Sequence, residues 1–230
     1  MSFPVREESI PQMLKPALIL YDLDGTLVDT GEDITRAANF MLSEMGDGSV
    51  SRKEAIGFVG RGLRQFIQNC LKTEDAGKTE AGMKLYRRFY SQHLLDNARL
   101  YPFTRDLLEH FQSRKQAVIT NKPNPYSREI LAALGVVDFF VEVIAGDSEY
   151  AKKPDPASVL SIMKRQGASA EKTLLVGDSP IDVETGRNAG IRTVGVLHGF
   201  TRQEELKAAG PDWMVRDFRQ LLEMVRRDGW

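Results

Sequence analysis

Two aspartates separated by one residue, Asp22 and Asp24, are the residues whose type and spacing most directly suggest chemistry. They follow the apolar run 17–20, which is too short for a helix and is typical of a buried β-strand. Side chains two apart on an extended chain project to the same side, so the carboxylates repel unless a cation or a shared proton compensates. Gly25 would let the backbone turn tightly beside a ligand. A solvated strand end explains the pair equally well, so other segments must decide.

The chemical interpretation is that one carboxylate attacks an electrophile while the other carries a proton, with Mg²⁺ keeping the first ionised. Thr120 and Asn121 follow a short apolar run and offer a hydroxyl and backbone N–H groups to an oxyanion, although such a pair is also a common turn. Lys153 precedes a proline, and we expect its side chain to be aimed outward, where the ammonium neutralises a phosphate. A solvated lysine is the alternative.

Residues 177–182 combine a helix start with a second pair of aspartates. Ser179 and Asp182 fit a capping box, which explains Asp182 without any chemistry. Asp178 has no such structural explanation. Lying after a buried strand, it suits a hard, oxygen-ligated cation such as Mg²⁺ together with Asp22.

The elements that would position these residues alternate between helices and short apolar strands, which predicts an α/β fold with a parallel sheet. The predicted strands are 17–20, 117–120, 141–144, 173–176, 193–196 and 213–215. Residues 30–97 are helical in pattern, with helix starts at Thr30 with Asp33 and at Ser51 with Glu54, and they form a compact insert after the first strand. Ligands in such sheets bind beyond the carboxyl ends of the strands, so the insert would cover the polar clusters as a lid.

Composition excludes several classes of function. The 31 Lys and Arg against 32 Asp and Glu give a net charge of -1, which argues against nucleic acid or a membrane as the main partner. Cys70 is the one cysteine, so we expect no internal disulfide, a reducing compartment and a thiol packed in a helical core. Residues 1–15 lack the apolar stretch of a signal peptide, and no apolar run approaches membrane-spanning length, so we expect a cytoplasmic protein.

Taken together, residues 22–26, Thr120, Lys153 before a proline and residues 177–182 resemble the four ordered motifs of the haloacid dehalogenase superfamily. The resemblance covers the chain from about residue 15. It implies a Rossmann-like catalytic core, residues 1–29 and 98–230, with an inserted helical cap domain, residues 30–97.

The same resemblance implies roles for individual residues. Asp22 would be the nucleophile that forms an aspartyl-phosphate, and Asp24 would protonate the leaving oxygen and then activate water. The phosphoryl group would be bound by Thr120, Asn121 and Lys153. Mg²⁺ would be held by Asp22, the main-chain carbonyl of Asp24, and Asp178, with Asp182 at or just behind the metal.

Asp24 argues against the haloacid dehalogenases proper, and residues 27–30 and Tyr101 before a proline resemble the phosphoglycolate phosphatase branch. This implies an Mg²⁺-dependent phosphatase, monomeric or homodimeric, that hydrolyses a small phosphorylated metabolite such as 2-phosphoglycolate. The alternatives are a sugar phosphomutase of the β-phosphoglucomutase type, a pyrophosphatase, a broad-specificity phosphatase of the superfamily and, least favoured, a non-catalytic regulatory protein.

Substrate selection is expected in the cap. Arg61 lies between two glycines at a predicted helix start, where it could pair with a substrate carboxylate or simply be solvated. Arg64 and Lys122 are weaker candidates. The three histidines show no spacing that indicates a metal site, and none is given a role.

Overall fold

A computed structural model describes residues 15–229. The expectation about a signal peptide concerns residues that lie outside this range, except for Lys15. Among the described residues, every helix is too short or too polar to cross a bilayer.

The core of the fold is a six-stranded parallel sheet with the order β5-β4-β1-β6-β7-β8. Its strands are β1 Leu18–Tyr21, β4 Lys115–Ile119, β5 Glu142–Ile144, β6 Thr173–Gly177, β7 Arg192–Val196 and β8 Trp213–Val215. The predicted α/β class with a Rossmann-like parallel sheet is confirmed.

Strand β1 lies inside the sheet and is entirely buried, which places the residues after it at the centre of the carboxyl edge. Tyr21 pairs with Val118 of β4 and Val176 of β6. Thr120 and Asp178 follow those two neighbouring strands, so the topology brings both to the same edge as Asp22. The strand extends one residue beyond the prediction, and Asp24 follows it as an isolated bridge residue that pairs with Val28, with turns on either side.

Helices pack on both faces of the sheet because side chains alternate along each strand. Ile19 and Tyr21 belong to one apolar cluster, whereas Leu18 and Leu20 belong to the other. The helices of this part of the chain are α5 Thr104–His110, α6 Tyr126–Ala133, α7 Ala157–Gln166, α8 Pro180–Ala189, α9 Gln203–Ala209 and α10 Phe218–Arg227. Of these, α9 was not predicted.

Of the helices between β1 and β4 in the sequence, the first four are flanked by a two-stranded antiparallel ribbon that was not predicted. The elements are β2 Val28–Asp29, α1 Gly31–Glu44, α2 Arg52–Gly57, α3 Leu63–Leu71, α4 Ala76–His93 and β3 Arg99–Leu100. Asp33 in α1 accepts hydrogen bonds from the backbone N–H groups of Asn97 and Ala98, at 3.0 and 2.9 Å. Asp33 therefore joins the first turn of α1 to the segment that precedes β3. The division into core and cap domains stays a prediction.

The two predicted capping pairs have different outcomes. Ser51 and Glu54 form the expected capping box of α2. Helix α1 begins after Thr30, but the Thr30 side chain makes no cap hydrogen bond. Its hydroxyl instead donates to Oδ1 of Asp24 at 2.6 Å, because a buried carboxylate is the stronger acceptor. The Cys70 thiol is buried in α3, and burial raises its pKa to about 12, as expected of a packed core cysteine.

Candidate active site

Lys153 lies between two of the predicted site carboxylates. Its Nζ is 2.8 Å from Oδ1 of Asp22 and 2.6 Å from Oδ1 of Asp182. The prediction that this side chain is aimed outward is wrong, since Lys153 is 5% exposed. Burial favours a neutral amine, but the charges of Asp182 and Asp22 outweigh it and raise the pKa of Lys153. The lysine is therefore a fixed positive charge beside Asp22.

Asp178, which follows β6, is held by two donors. Its Oδ1 accepts from the Thr26 hydroxyl at 2.8 Å, and its Oδ2 accepts from the backbone N–H of Phe200 at 2.7 Å. A Cβ at Gly25 would lie 2.5 Å from the same Oδ2, and Gly25 has a φ of +84°. Only glycine satisfies both the turn after Asp24 and this close approach.

Asp24 is bound by a different set of groups. Its Oδ1 accepts from the Thr30 hydroxyl at 2.6 Å and from Nζ of Lys122 at 3.0 Å. The same Nζ donates to the Tyr90 hydroxyl of α4 at 2.7 Å. Lys122 was only a weak candidate in the sequence, yet the structure buries it against a site carboxylate. The available signal was its position, two residues beyond Thr120 at the carboxyl end of β4.

Asp22, Asp178 and Asp182 form a group that fits a divalent cation. All three are buried, and one carboxylate oxygen from each lies within 4.8 Å of the others. Oxygen donors of this kind suit Mg²⁺. Including Asp24, four buried carboxyl groups face the two buried ammonium groups of Lys122 and Lys153, so the carboxyl groups outnumber the cations by two. Burial and the carboxylates raise the pKa of Asp178 to about 8, and burial, opposed by Lys153, raises that of Asp22 to about 7.

Asp182 has two structural partners in addition to its place in the acidic group. Its Oδ2 accepts from the backbone N–H and the hydroxyl of Ser179, at 3.1 and 2.6 Å, which completes the predicted capping box of α8. Its Oδ1 accepts from Lys153. These contacts suit a residue that anchors Lys153 and stands behind the metal position.

Thr120 and Asn121 reach the site in different ways. Thr120 lines the cavity next to Asp22. The Asn121 amide donates to the carbonyls of Gly60 and Lys153, at 2.7 and 2.9 Å, and accepts from the Lys153 N–H at 2.9 Å. Its side chain is thus committed to protein contacts that join the loop before α3 to the sheet edge. A phosphate contact from Asn121 would use the backbone N–H, for which no described residue is an acceptor.

Two cavities reach Asp22 and Asp24. The smaller, of about 70 Å³, lies under α3 and α4 and includes Lys122 and Lys153 in its lining, whereas the larger, of about 520 Å³, is bordered by α2 and Asp178. Arg61 is exposed and lines neither cavity, unlike the two glycines that flank it. Arg64 is also exposed and pairs with Glu80.

Comparison with known proteins gives the family. The family description "Haloacid dehalogenase-like hydrolase" matches residues 19–196. This chain belongs to the haloacid dehalogenase-like hydrolases. The predicted resemblance to this superfamily is confirmed.

Relatives of this hydrolase include a phosphoglycolate phosphatase of Vibrio parahaemolyticus, 32% identical over 90% of this chain and 95% of the relative. A phosphoglycolate phosphatase of Vibrio cholerae is 34% identical over 90% and 96% of the two chains. A crystal structure of a predicted phosphoglycolate phosphatase from Haemophilus somnus superposes with a TM-score of 0.87 at 27% identity, covering 92% of this chain and 98% of that one. The predicted branch resemblance and enzyme class, a phosphoric monoester hydrolase, are confirmed.

The buried carboxylates make the stability of this hydrolase pH-dependent when metal is removed. The pKa values of Asp22 and Asp178, about 7 and about 8, lie above the ordinary value of 3.8, so the folded protein binds their protons more tightly than the unfolded chain. The stability gained from these protons is present at low pH and is lost as the pH rises through about 7 to 8. In EDTA, we expect the melting temperature to fall by roughly several degrees between about pH 6 and pH 8.5.

Differential scanning fluorimetry at both pH values, with EDTA and with Mg²⁺, measures this effect. Mg²⁺ should raise the melting temperature more at the higher pH, where it does not compete with protons. Asp178→Asn, which removes the group with the higher pKa, is the matched control and should flatten the pH dependence in EDTA. The prediction is contradicted if the melting temperature of the metal-free wild-type protein falls no more between the two pH values than that of Asp178→Asn.

Proposed function

We propose that this enzyme is an Mg²⁺-dependent phosphatase that hydrolyses a small phosphate monoester, 2-phosphoglycolate, through an aspartyl-phosphate on Asp22. The observation that carries the proposal is the placement of Asp22, which follows the central strand, 2.8 Å from a buried lysine and beside two further buried carboxylates. With a divalent metal bound beside the fixed cation, this carboxylate would be ionised and aligned for attack on phosphorus.

In the proposed reaction, an oxygen of Asp22 attacks phosphorus and the bond to the ester oxygen breaks. Lys153, the Thr120 hydroxyl and the backbone N–H of Asn121 balance the charge on the phosphoryl oxygens. Asp24 gives its proton to the departing oxygen, and then takes a proton from the water that hydrolyses the acyl phosphate. Thr30 and Lys122 hold the Asp24 carboxyl in place for both steps. Mg²⁺, held by Asp22, the Asp24 carbonyl and Asp178 with Asp182 behind, would supply further charge neutralisation.

We also propose that residues 30–97 act as a cap over a core formed by residues 1–29 and 98–230. The hydrogen bond from Asn121 to the Gly60 carbonyl joins the two parts directly. Both cavities at the carboxylates are lined by residues from each part. A cap in this position would limit the access of bulk water to the aspartyl-phosphate.

The proposed substrate rests on the named relatives and on the size of the inner cavity. Phosphoglycolate phosphatase is the name of the relatives described above. A leaving group of a few heavy atoms fits the inner cavity of about 70 Å³ beside Asp24, whereas the outer cavity of about 520 Å³ would admit a larger group. The names of the relatives favour the smaller leaving group.

Phosphate release from a panel of substrates tests the proposed function. We expect Mg²⁺-dependent release from 2-phosphoglycolate that exceeds release from pyrophosphate, sugar phosphates and nucleoside monophosphates by about tenfold or more, with EDTA abolishing it. Comparable release across the panel would instead indicate a broad-specificity phosphatase. Conversion of a sugar phosphate to an isomer without free phosphate would indicate a mutase, and no metal-dependent turnover of any substrate contradicts the proposal.

A further inference from the structure

The inner cavity contains a second cation, on the leaving-group side of the site. Of the described residues, Lys122 and Lys153 are the two basic side chains that line this cavity. Lys153 forms ion pairs with Asp22 and Asp182, at the position where the phosphoryl group would bind. Lys122 contacts Asp24, which faces the ester oxygen in the proposed reaction. The remaining cation of the cavity therefore lies next to the group that departs.

Lys122 has an N–H group for a ligand when a single donor serves both oxygens of Asp24. An ammonium carries three donors. The Asp24 carboxylate, with its two oxygens at 3.0 and 3.3 Å, takes one, and the Tyr90 hydroxyl at 2.7 Å takes another. The side chain is only 6% exposed, so bulk water has little access to the third. A buried ammonium with an unused donor is a strong site for an anion.

Three tyrosines bring further donors to the same cavity. Tyr86 stacks on Tyr90 with ring centroids 5.3 Å apart, and Tyr126 meets the same ring edge-on, also at 5.3 Å. All three line the cavity, and neither the Tyr86 nor the Tyr126 hydroxyl makes a hydrogen bond to a described residue. Leu63 and Phe66 add apolar walls. Tyrosine hydroxyls that line the same cavity as a buried ammonium are suitable donors for a small anion.

We propose that Lys122, with the hydroxyls of Tyr86, Tyr90 and Tyr126, binds a carboxylate carried by the leaving group and so determines substrate specificity. The inference rests on the proposed phosphatase function. In 2-phosphoglycolate, the carboxylate carbon is two bonds beyond the ester oxygen, and Nζ of Lys122 is 3.0 Å from the Asp24 carboxylate that faces this oxygen. In this proposal Lys122 binds the substrate carboxylate, the role that the sequence had suggested for the exposed Arg61.

The ratio of kcat/KM for two matched substrates tests this subsite. In 2-hydroxyethyl phosphate, a neutral CH₂OH group replaces the carboxylate of 2-phosphoglycolate at the same chain length. A charge-assisted hydrogen bond in a desolvated site predicts a wild-type preference for 2-phosphoglycolate of about 10- to 100-fold. In Lys122→Met, this preference should fall to within about threefold of unity, whereas Lys122→Arg should keep most of it because it keeps the charge.

The ratio separates recognition of the substrate from support of Asp24. Loss of the contact to Asp24 lowers the rates for both substrates together and leaves the ratio unchanged. The matched control is Lys115→Met, which removes an exposed lysine from the opposite end of β4 and should preserve both rates and ratio. If Lys122→Met does not fold, Lys122→Gln and Tyr126→Phe give the same test, with a smaller decrease in the ratio for the tyrosine.

Each outcome decides for or against the subsite. A ratio that collapses in Lys122→Met and survives in Lys122→Arg supports it. An unchanged ratio in Lys122→Met overturns it, as does a wild-type enzyme that hydrolyses both substrates equally well, which would leave the phosphatase function standing. A wild-type enzyme that hydrolyses neither overturns the phosphatase function and the subsite together.

Discussion

Replacing Asp22 with asparagine is expected to lower kcat by at least about 10⁴-fold without loss of the fold. The amide has the shape of the carboxyl group but lacks the nucleophilic oxygen that would form the acyl phosphate. Lys153 keeps Asp182 as a partner, so the substitution leaves no buried ammonium unpaired. Because burial and neighbouring carboxylates raise the pKa of Asp22, a neutral side chain also relieves repulsion in the metal-free site. The metal-free variant should therefore melt at or above the wild-type temperature.

Rapid quench and thermal denaturation measure the two parts of this prediction. Acid-quenched wild-type enzyme should carry an acid-stable, hydroxylamine-sensitive phosphoryl group, and Asp22→Asn should carry none. Asp106→Asn, which removes an exposed carboxylate from α5, is the control and should match the wild type in both measurements. Turnover within about tenfold of the wild type by a preparation free of contaminating phosphatase contradicts the role of Asp22.

The conflict between stability and function at Asp22 applies to all four buried carboxyl groups of the site. A site built for stability alone would not bury four carboxylates around two ammonium groups, because each unpaired buried charge is unfavourable. In the proposed function, a divalent cation would complete this arrangement and relieve the repulsion among the carboxyl groups.

The sequence was sufficient to predict the sheet and the residues at its carboxyl edge. Short apolar runs that end in Asp22, Thr120 and Asp178 locate the strands, and parallel pairing then forces the three positions together without any further information. The capping boxes at Ser51 and Ser179 were equally accessible, because each is a local pattern confined to four residues.

Contacts between distant segments could not be predicted. Lys122 and Asp24 are separated by 98 positions, and nothing near either residue indicates the other. The ribbon of β2 and β3 has only two residues in each strand, too few to show any periodicity. Lys153 was predicted to bind phosphate, but its pairing with Asp22 and Asp182 was not predicted, because only the tertiary structure brings these carboxylates to its ammonium. Contacts of this kind depend on the tertiary fold and leave no local pattern in the sequence.

Replacing Asp24 with asparagine is expected to lower kcat for 2-phosphoglycolate by about 10²- to 10⁴-fold. The amide cannot give a proton to the departing oxygen, nor can it take one from water, so both half-reactions slow. Thr30→Val is the matched control, because it removes the 2.6 Å hydrogen bond to the same carboxyl group while the carboxyl remains. Its loss should be at most about tenfold, which separates the proton transfer from the positioning of the side chain.

Acetyl phosphate separates the two roles of Asp24, because its leaving group departs as a carboxylate and needs no proton. With this substrate, Asp24→Asn should form the aspartyl-phosphate quickly and hydrolyse it slowly. The expected result is a burst of about one equivalent of acetate per enzyme, followed by slow steady-state release. Steady-state turnover of acetyl phosphate at the wild-type rate would show that Asp24 has no part in activating water. Absence of a burst, with slow turnover throughout, would show instead that Asp24 assists the attack itself, since no acid is required in that step.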